Sequence, residues 1–123
     1  MIIGTGIDIV EIDRFKKIKD LKGIAKKILH TNELEEFKKA KDKVIFLAKK
    51  FAFKEAFVKA LGTGFREPYY LDRVEIIKDK LGKPSVVTHG EAKEEFKNLG
   101  ITKAHVSLSD TKNYVVAFVV LER

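Results

Sequence analysis

Two carboxylates stand where the hydropathy pattern otherwise sets apolar side chains. Asp8 interrupts Gly6-Ile7-Asp8-Ile9-Val10, and Glu55 lies within Phe51-Ala52-Phe53-Lys54-Glu55-Ala56-Phe57. At about 100° per residue, Val44, Ala48, Phe51, Ala52, Glu55 and Val58 share one helix face, which puts Glu55 near the middle of an apolar stripe. A carboxylate there loses hydration and must be compensated by a basic side chain, by protonation or by a divalent cation. Lys59, at i+4, is spaced for the first of these. Taken alone, that pair reads as a structural ion pair. Asp8 shifts the reading, because a second core-forming segment also carries a carboxylate. Two carboxylates without any cysteine suit Mg²⁺, which takes one or two protein oxygens and leaves the rest of its octahedron to water and phosphate. If Asp8 and Glu55 converge, Lys59 and the Gly62-Thr63-Gly64 turn become phosphate contacts, through a point charge and backbone N–H groups. Gly4 and Gly6 leave room for a ligand or another backbone to approach. His30, His89 and His105 read as individually satisfied side chains, with no two at metal-ligand spacing.

The elements that must position these residues follow from periodicity. Residues 2 to 12 alternate as a strand, with Ile3, Ile7 and Ile9 on one face and Ile2, Gly4, Gly6, Asp8 and Val10 on the other. Phe15, Ile18 and Leu21 predict a short helix ended by Gly23, and a second helix starts at Thr31, with Glu33, Glu35 and Glu36 near its positive end. The longest periodic stretch runs from about Asp42 to Leu61 and closes at Gly62-Thr63-Gly64. The period then changes to that of strands. Val74 to Ile77 and Ser85 to Thr88 form a hairpin across Leu81-Gly82-Lys83-Pro84, Glu91 to Leu99 is a helix, and Val106 to Leu108 returns through a turn near Asp110 to Asn113 into Tyr114 to Leu121. The expected fold is α+β: an antiparallel sheet packed against one long helix, in a single domain spanning 1–123.

Composition narrows the function. With 123 residues and a net charge of +7, the chain supports one core. The lack of cysteine removes thiol chemistry and suggests a cytoplasmic setting, and neither a signal peptide nor a membrane span is expected. Between Arg14 and Lys27, seven basic residues face Asp20 alone, so one short segment holds six of the surplus charges. Such a patch fits an acidic partner, or simply a solvated lysine face. A basic nucleic-acid-binding module is the rival reading, but most of the nine phenylalanines stand at helical core spacing rather than on a basic strand surface.

Gly6-Ile7-Asp8-Ile9-Val10-Glu11-Ile12 with Arg14-Phe15, then Phe51 to Phe57 with Lys59-Ala60-Leu61-Gly62-Thr63-Gly64, together resemble the holo-acyl-carrier-protein synthases, the small 4′-phosphopantetheinyl transferases. Ala25 to Leu29, Leu81 to Pro84 and His105-Val106-Ser107-Leu108-Ser109 extend the resemblance over the whole chain. It implies transfer of phosphopantetheine from coenzyme A to a serine of acyl carrier protein, with Mg²⁺ on Asp8 and Glu55. Glu55 would accept the serine proton, directly or through a water, and Lys59 would stabilise the departing phosphate. Lys50, Gly62, Thr63, Gly64 and His105 fall at coenzyme A contacts, with Lys50 and His105 toward the 3′-phosphate. The first helix, including Arg14 and Lys17, would dock the carrier. A homotrimer with sites between protomers is also implied. Val10 stands where larger transferases offer a third acidic ligand, so water would fill that metal position as in the small class, and two positions depart from the pattern: Asp110 where many members have histidine, and Lys50 where many have arginine.

Overall fold

The computed structural model describes residues 1–123. β1 (Ile2–Glu11) pairs antiparallel with β5 (Tyr114–Glu122), which also pairs with β4 (Lys103–Asp110), giving a three-stranded sheet of order β1-β5-β4. The expected antiparallel sheet is thus present, but the hairpin of β2 (Val74–Lys78) and β3 (Pro84–Thr88) forms a separate two-stranded sheet. Across the first sheet lies α4 (Lys43–Leu61), packed against β1 and β5. Asp42 caps it by accepting from the Ile45 N–H at 3.0 Å.

The alternation in β1 sets which side meets the helix. Gly6 and Val10 are buried against α4, whereas Ile7 and Ile9 point outward and stay exposed. The room left by the glycines is taken by protein backbone: a Cβ on Gly4 would stand 2.0 Å from the Ala60 carbonyl oxygen, and one on Gly6 1.9 Å from that of Ala56. No side chain fits at either distance, so these glycines let α4 lie close enough to β1 for Asp8 to reach the helix.

The first helical region differs from expectation. It is two helices, α1 (Ile12–Lys16) and α2 (Leu21–Ile28), and Gly23 lies inside the first turn of α2 rather than ending a helix. The cause is the cap: Asp20 accepts from the Gly23 N–H at 3.0 Å, and a Cβ on Gly23 would meet the Asp20 carboxylate at 2.2 Å. α3 (Thr31–Lys39) begins as expected, but His30 caps it in place of Thr31. α5 (Glu91–Asn98) packs against β3, and its Phe96 lies against Phe57 of α4.

Between α4 and β2, Tyr69 is fully buried, and its hydroxyl has no hydrogen-bond partner. Burial, with a smaller push from Glu95, raises its pKa to about 12. An unpaired buried hydroxyl costs more than it returns, so Tyr69→Phe is expected to raise stability by about 1 kcal/mol, read as a higher urea midpoint at unchanged slope. A lower midpoint would show that the hydroxyl is satisfied in solution.

Candidate active site

Asp8 and Glu55 meet where β1 crosses α4. The Asp8 carboxylate, 14% exposed, accepts from Lys59 Nζ at 3.0 Å, and the same ammonium donates to the Ile7 carbonyl at 3.1 Å. The helical Glu55-to-Lys59 ion pair therefore does not form. Lys59 closes on the strand instead, because Asp8 faces it across the narrow gap left by the glycines. Glu55 is half-buried and has no ion-pair partner. Burial pushes its carboxyl pKa up and the Asp8 charge adds to that, while Lys59 and Arg14 pull it down. The two carboxylates thus repel each other while Glu55 is partly withdrawn from water.

α4 is buried around most of its circumference rather than along one stripe, including two of its lysines. The fully buried Lys54 donates to the Ile28 and Leu71 carbonyls at 2.6 and 2.9 Å and to Glu33, the Leu71 contact alone being partly open to solvent. Desolvation lowers its pKa against the upward pull of Glu33. Glu33 in turn accepts from the His30 and Ile76 N–H groups at 3.0 and 2.9 Å. This pair fixes the rotation of α4 one residue before Glu55. Sequence reasoning placed Glu33 only as a dipole partner; the signal for more was Lys50 and Lys54, four apart within an apolar run.

At the end of α4, Gly62 takes a left-handed conformation (φ 78°) that terminates the helix, and Gly64 has φ 65°. The N–H groups of Gly62 and Thr63 are spent on the Lys59 and Val58 carbonyls at 3.0 and 3.2 Å, so the expected phosphate contact through these two N–H groups is not available. The Thr63 hydroxyl donates to the Gly64 carbonyl at 2.9 Å.

Lys50 and His105 line different concavities. Lys50, 5% exposed, donates to the Ile76 carbonyl at 2.8 Å and sits 5.2 Å from the centre of the Phe46 ring. It borders a cavity of about 210 Å³ with Lys49, Lys78, Glu36, Gly82 and Pro84. Desolvation lowers its pKa. His105 lies on β4 in a cleft with Lys83, Lys103 and Ser107, and only Pro84 borders both spaces. Asp110 lies 3.8 Å from the Lys49 ammonium.

Arg14 on α1 and Lys17 at its C-terminal cap are exposed, and Arg14 is near enough to act on Glu55. Phe15, Phe37, Phe53 and Phe57 are buried, which leaves the basic helices without the aromatic platform a single-strand binder would need. The histidines are not independent as their sequence spacing suggested. His30 and His89 stack with ring centroids 4.0 Å apart, beside Glu75, since chain separation says nothing of what α3 and the β2–β3 hairpin bring together.

The chain that positions this β1 aspartate, α4 glutamate and lysine one turn later is similar to phosphopantetheinyl transferases. The description "4′-phosphopantetheinyl transferase superfamily" matches residues 4–119. Holo-[acyl-carrier-protein] synthase from Dechloromonas aromatica (strain RCB) is 45% identical over 99% of this chain and 98% of its own length. The crystal structure of holo-[acyl-carrier-protein] synthase from Neisseria meningitidis superposes with a TM-score of 0.94 at 40% identity, covering 100% of both chains. A holo-(acyl-carrier-protein) synthase from Bacillus anthracis str. Ames, solved in complex with CoA (3′,5′-ADP), gives 0.83 at 37% identity over 99% of this chain and 97% of that one. The chain belongs to the 4′-phosphopantetheinyl transferase superfamily, among its holo-[acyl-carrier-protein] synthases.

Proposed function

We propose that this chain, as one transferase domain over 1–123, moves 4′-phosphopantetheine from coenzyme A to a serine hydroxyl of apo acyl carrier protein and releases adenosine 3′,5′-bisphosphate. The observation that carries the reading is the meeting of Asp8, Glu55 and Lys59 at the β1–α4 crossing. A divalent cation fits there: the donors are carboxylate oxygens, they repel each other, and no other ion pair satisfies Glu55. Asp8 and Glu55 would hold Mg²⁺, whose chemistry when bound is to offset the charge of the coenzyme A diphosphate.

The protein's own groups do the rest. Glu55, made more basic by burial and by Asp8, takes the proton from the attacking serine oxygen as that oxygen bonds to the β-phosphorus. Lys59, about half exposed, keeps Asp8 in place and presents its ammonium to the oxygen that leaves with the nucleotide. Lys50, Gly62, Thr63, Gly64 and His105 are assigned to coenzyme A, with Lys50 and His105 toward its nucleotide end. Because Lys50 and His105 occupy separate concavities of one protomer, that assignment fits a cleft completed by a neighbouring copy. The test is to incubate the protein with coenzyme A, Mg²⁺ and an apo carrier and to weigh the carrier. A gain of one phosphopantetheine supports the reading, and an unchanged mass contradicts it.

Two parts of the proposal concern surfaces. The outer face of the sheet carries Ile7, Ile9 and Phe118, 59%, 62% and 43% exposed, with Ile7 directly opposite Phe118. A contiguous apolar sheet face favours burial against further copies, and we assign it to a homotrimer working in the cytoplasm. Light scattering at micromolar protein should report three chains; a stable, active monomer would refute this. The exposed Arg14 and Lys17 would meet the acidic helix of the carrier, and Arg14 connects that surface to Glu55. Arg14→Glu with Lys17→Glu should raise the KM for the carrier about tenfold, roughly 1.4 kcal/mol, with coenzyme A binding unchanged. Loss of coenzyme A affinity at constant carrier KM would make the patch a nucleotide site.

A further inference from the structure

Glu75 lies on β2, 5% exposed, and no lysine or arginine pairs with it. Its neighbours are two imidazoles and an amide. His89 Nε2 is 2.8 Å from Glu75 Oε1, His30 Nδ1 is 3.7 Å from the same oxygen, and Asn32 Nδ2 donates to it at 3.4 Å. One potential ligand atom from each of His30, Glu75 and His89 lies within 4.8 Å of the other two. The three residues come from the cap of α3, the second residue of β2, and the residue after β3, the last two at the open end of the hairpin.

We propose that His30, Glu75 and His89 form a second metal site, for a divalent cation of the zinc type, distinct in place and chemistry from the Asp8 and Glu55 pair. Two imidazoles and one carboxylate are a donor set that zinc, nickel and cobalt accept and that Mg²⁺, which prefers oxygen, does not. A cation would supply in direct contact the positive charge that a buried carboxylate needs and that Lys50 supplies here only from a distance. At present His89 Nε2 lies at hydrogen-bond distance, 2.8 Å, from the Glu75 carboxylate. Coordination requires the stacked rings, 12° from parallel, to splay so that their lone pairs point at one centre. It also exchanges the bond from the Asn32 N–H to His30 Nδ1, 3.2 Å long, for a bond to the metal. The gain is structural: one ion would tie the β2–β3 hairpin to the start of α3, next to the Glu33 anchor of α4.

The full-length protein, stripped with chelator and returned to millimolar Mg²⁺, is titrated with Zn²⁺ by calorimetry and melted with and without it. One equivalent of Zn²⁺ should bind, and the Tm should rise by about 5 °C or more at a hundredfold excess over Kd. His30→Asn, which keeps a side chain able to cap α3, and His89→Gln should each weaken that binding about tenfold or more while leaving transferase activity in Mg²⁺ unchanged. The proposal is overturned if the wild-type protein binds no Zn²⁺ under these conditions, or if either variant retains the wild-type affinity.

Discussion

Glu55→Gln should lower phosphopantetheine transfer about a thousandfold, roughly 4 kcal/mol of transition-state stabilisation, with the fold intact. The substitution keeps the shape of the side chain but removes both a proton acceptor and an anionic ligand. Stability is spared because the folded protein already disfavours this charge: burial and Asp8 raise the Glu55 pKa, so a neutral amide relieves repulsion. Asp8→Asn should be about as damaging to transfer, since it loosens Lys59 as well as the cation site. The double variant should lose little beyond either single one, because both carboxylates act on one reacting centre. Losses that multiply would mean that the two residues serve separate steps. Turnover is read at saturating coenzyme A and Mg²⁺, and the fold by circular dichroism and denaturant midpoint.

Lys54→Met should cost about 3–5 kcal/mol of stability. The methionine fills similar volume, but it removes the closest counter-charge of the fully buried Glu33, leaving the His30 and Ile76 N–H groups and the Lys50 ammonium at 3.8 Å, and strips donors from the Ile28 and Leu71 carbonyls. Adding Glu33→Gln should recover part of the loss, because the amide oxygen can still accept from a backbone N–H and no bare charge remains. Urea melts of the two single variants and the double variant give the coupling directly. A Lys54→Met midpoint within error of the wild type would mean that Glu33 is hydrated in solution and that the pair does not anchor α4.

The contrast between these two pairs shows what the sequence carried. Asp8 and Glu55 were legible because each breaks an apolar pattern within its own element, and the glycines of β1 because small residues in a strand mark a close approach. That the approaching group is the carbonyl of Ala56 or Ala60, rather than a ligand, depended on packing between elements far apart in the chain. The same holds for Lys59. Local spacing paired it with Glu55 at i+4, but the neighbouring strand offered Asp8 at 3.0 Å and a carbonyl besides. Glu33 with Lys54, 21 positions apart, and His30 with Glu75 and His89, the last two 14 apart, are tertiary constellations that no local spacing announces. Gly23 misled for a local reason: glycine serves a tight cap at a helix start as readily as it ends a helix, and the Asp20 before it decided which.

The most direct test of the account is a comparison of wild-type protein and Glu55→Gln, each incubated with coenzyme A, Mg²⁺ and apo acyl carrier protein, with the carrier weighed by mass spectrometry over time. The account predicts that the wild-type protein adds one phosphopantetheine per carrier, that the reaction stops when Mg²⁺ is chelated, and that Glu55→Gln leaves the carrier unmodified over the same interval. A carrier that never gains mass with the wild-type protein, or gains it equally fast with Glu55→Gln, would contradict the assignment of Asp8 and Glu55 to the site of transfer.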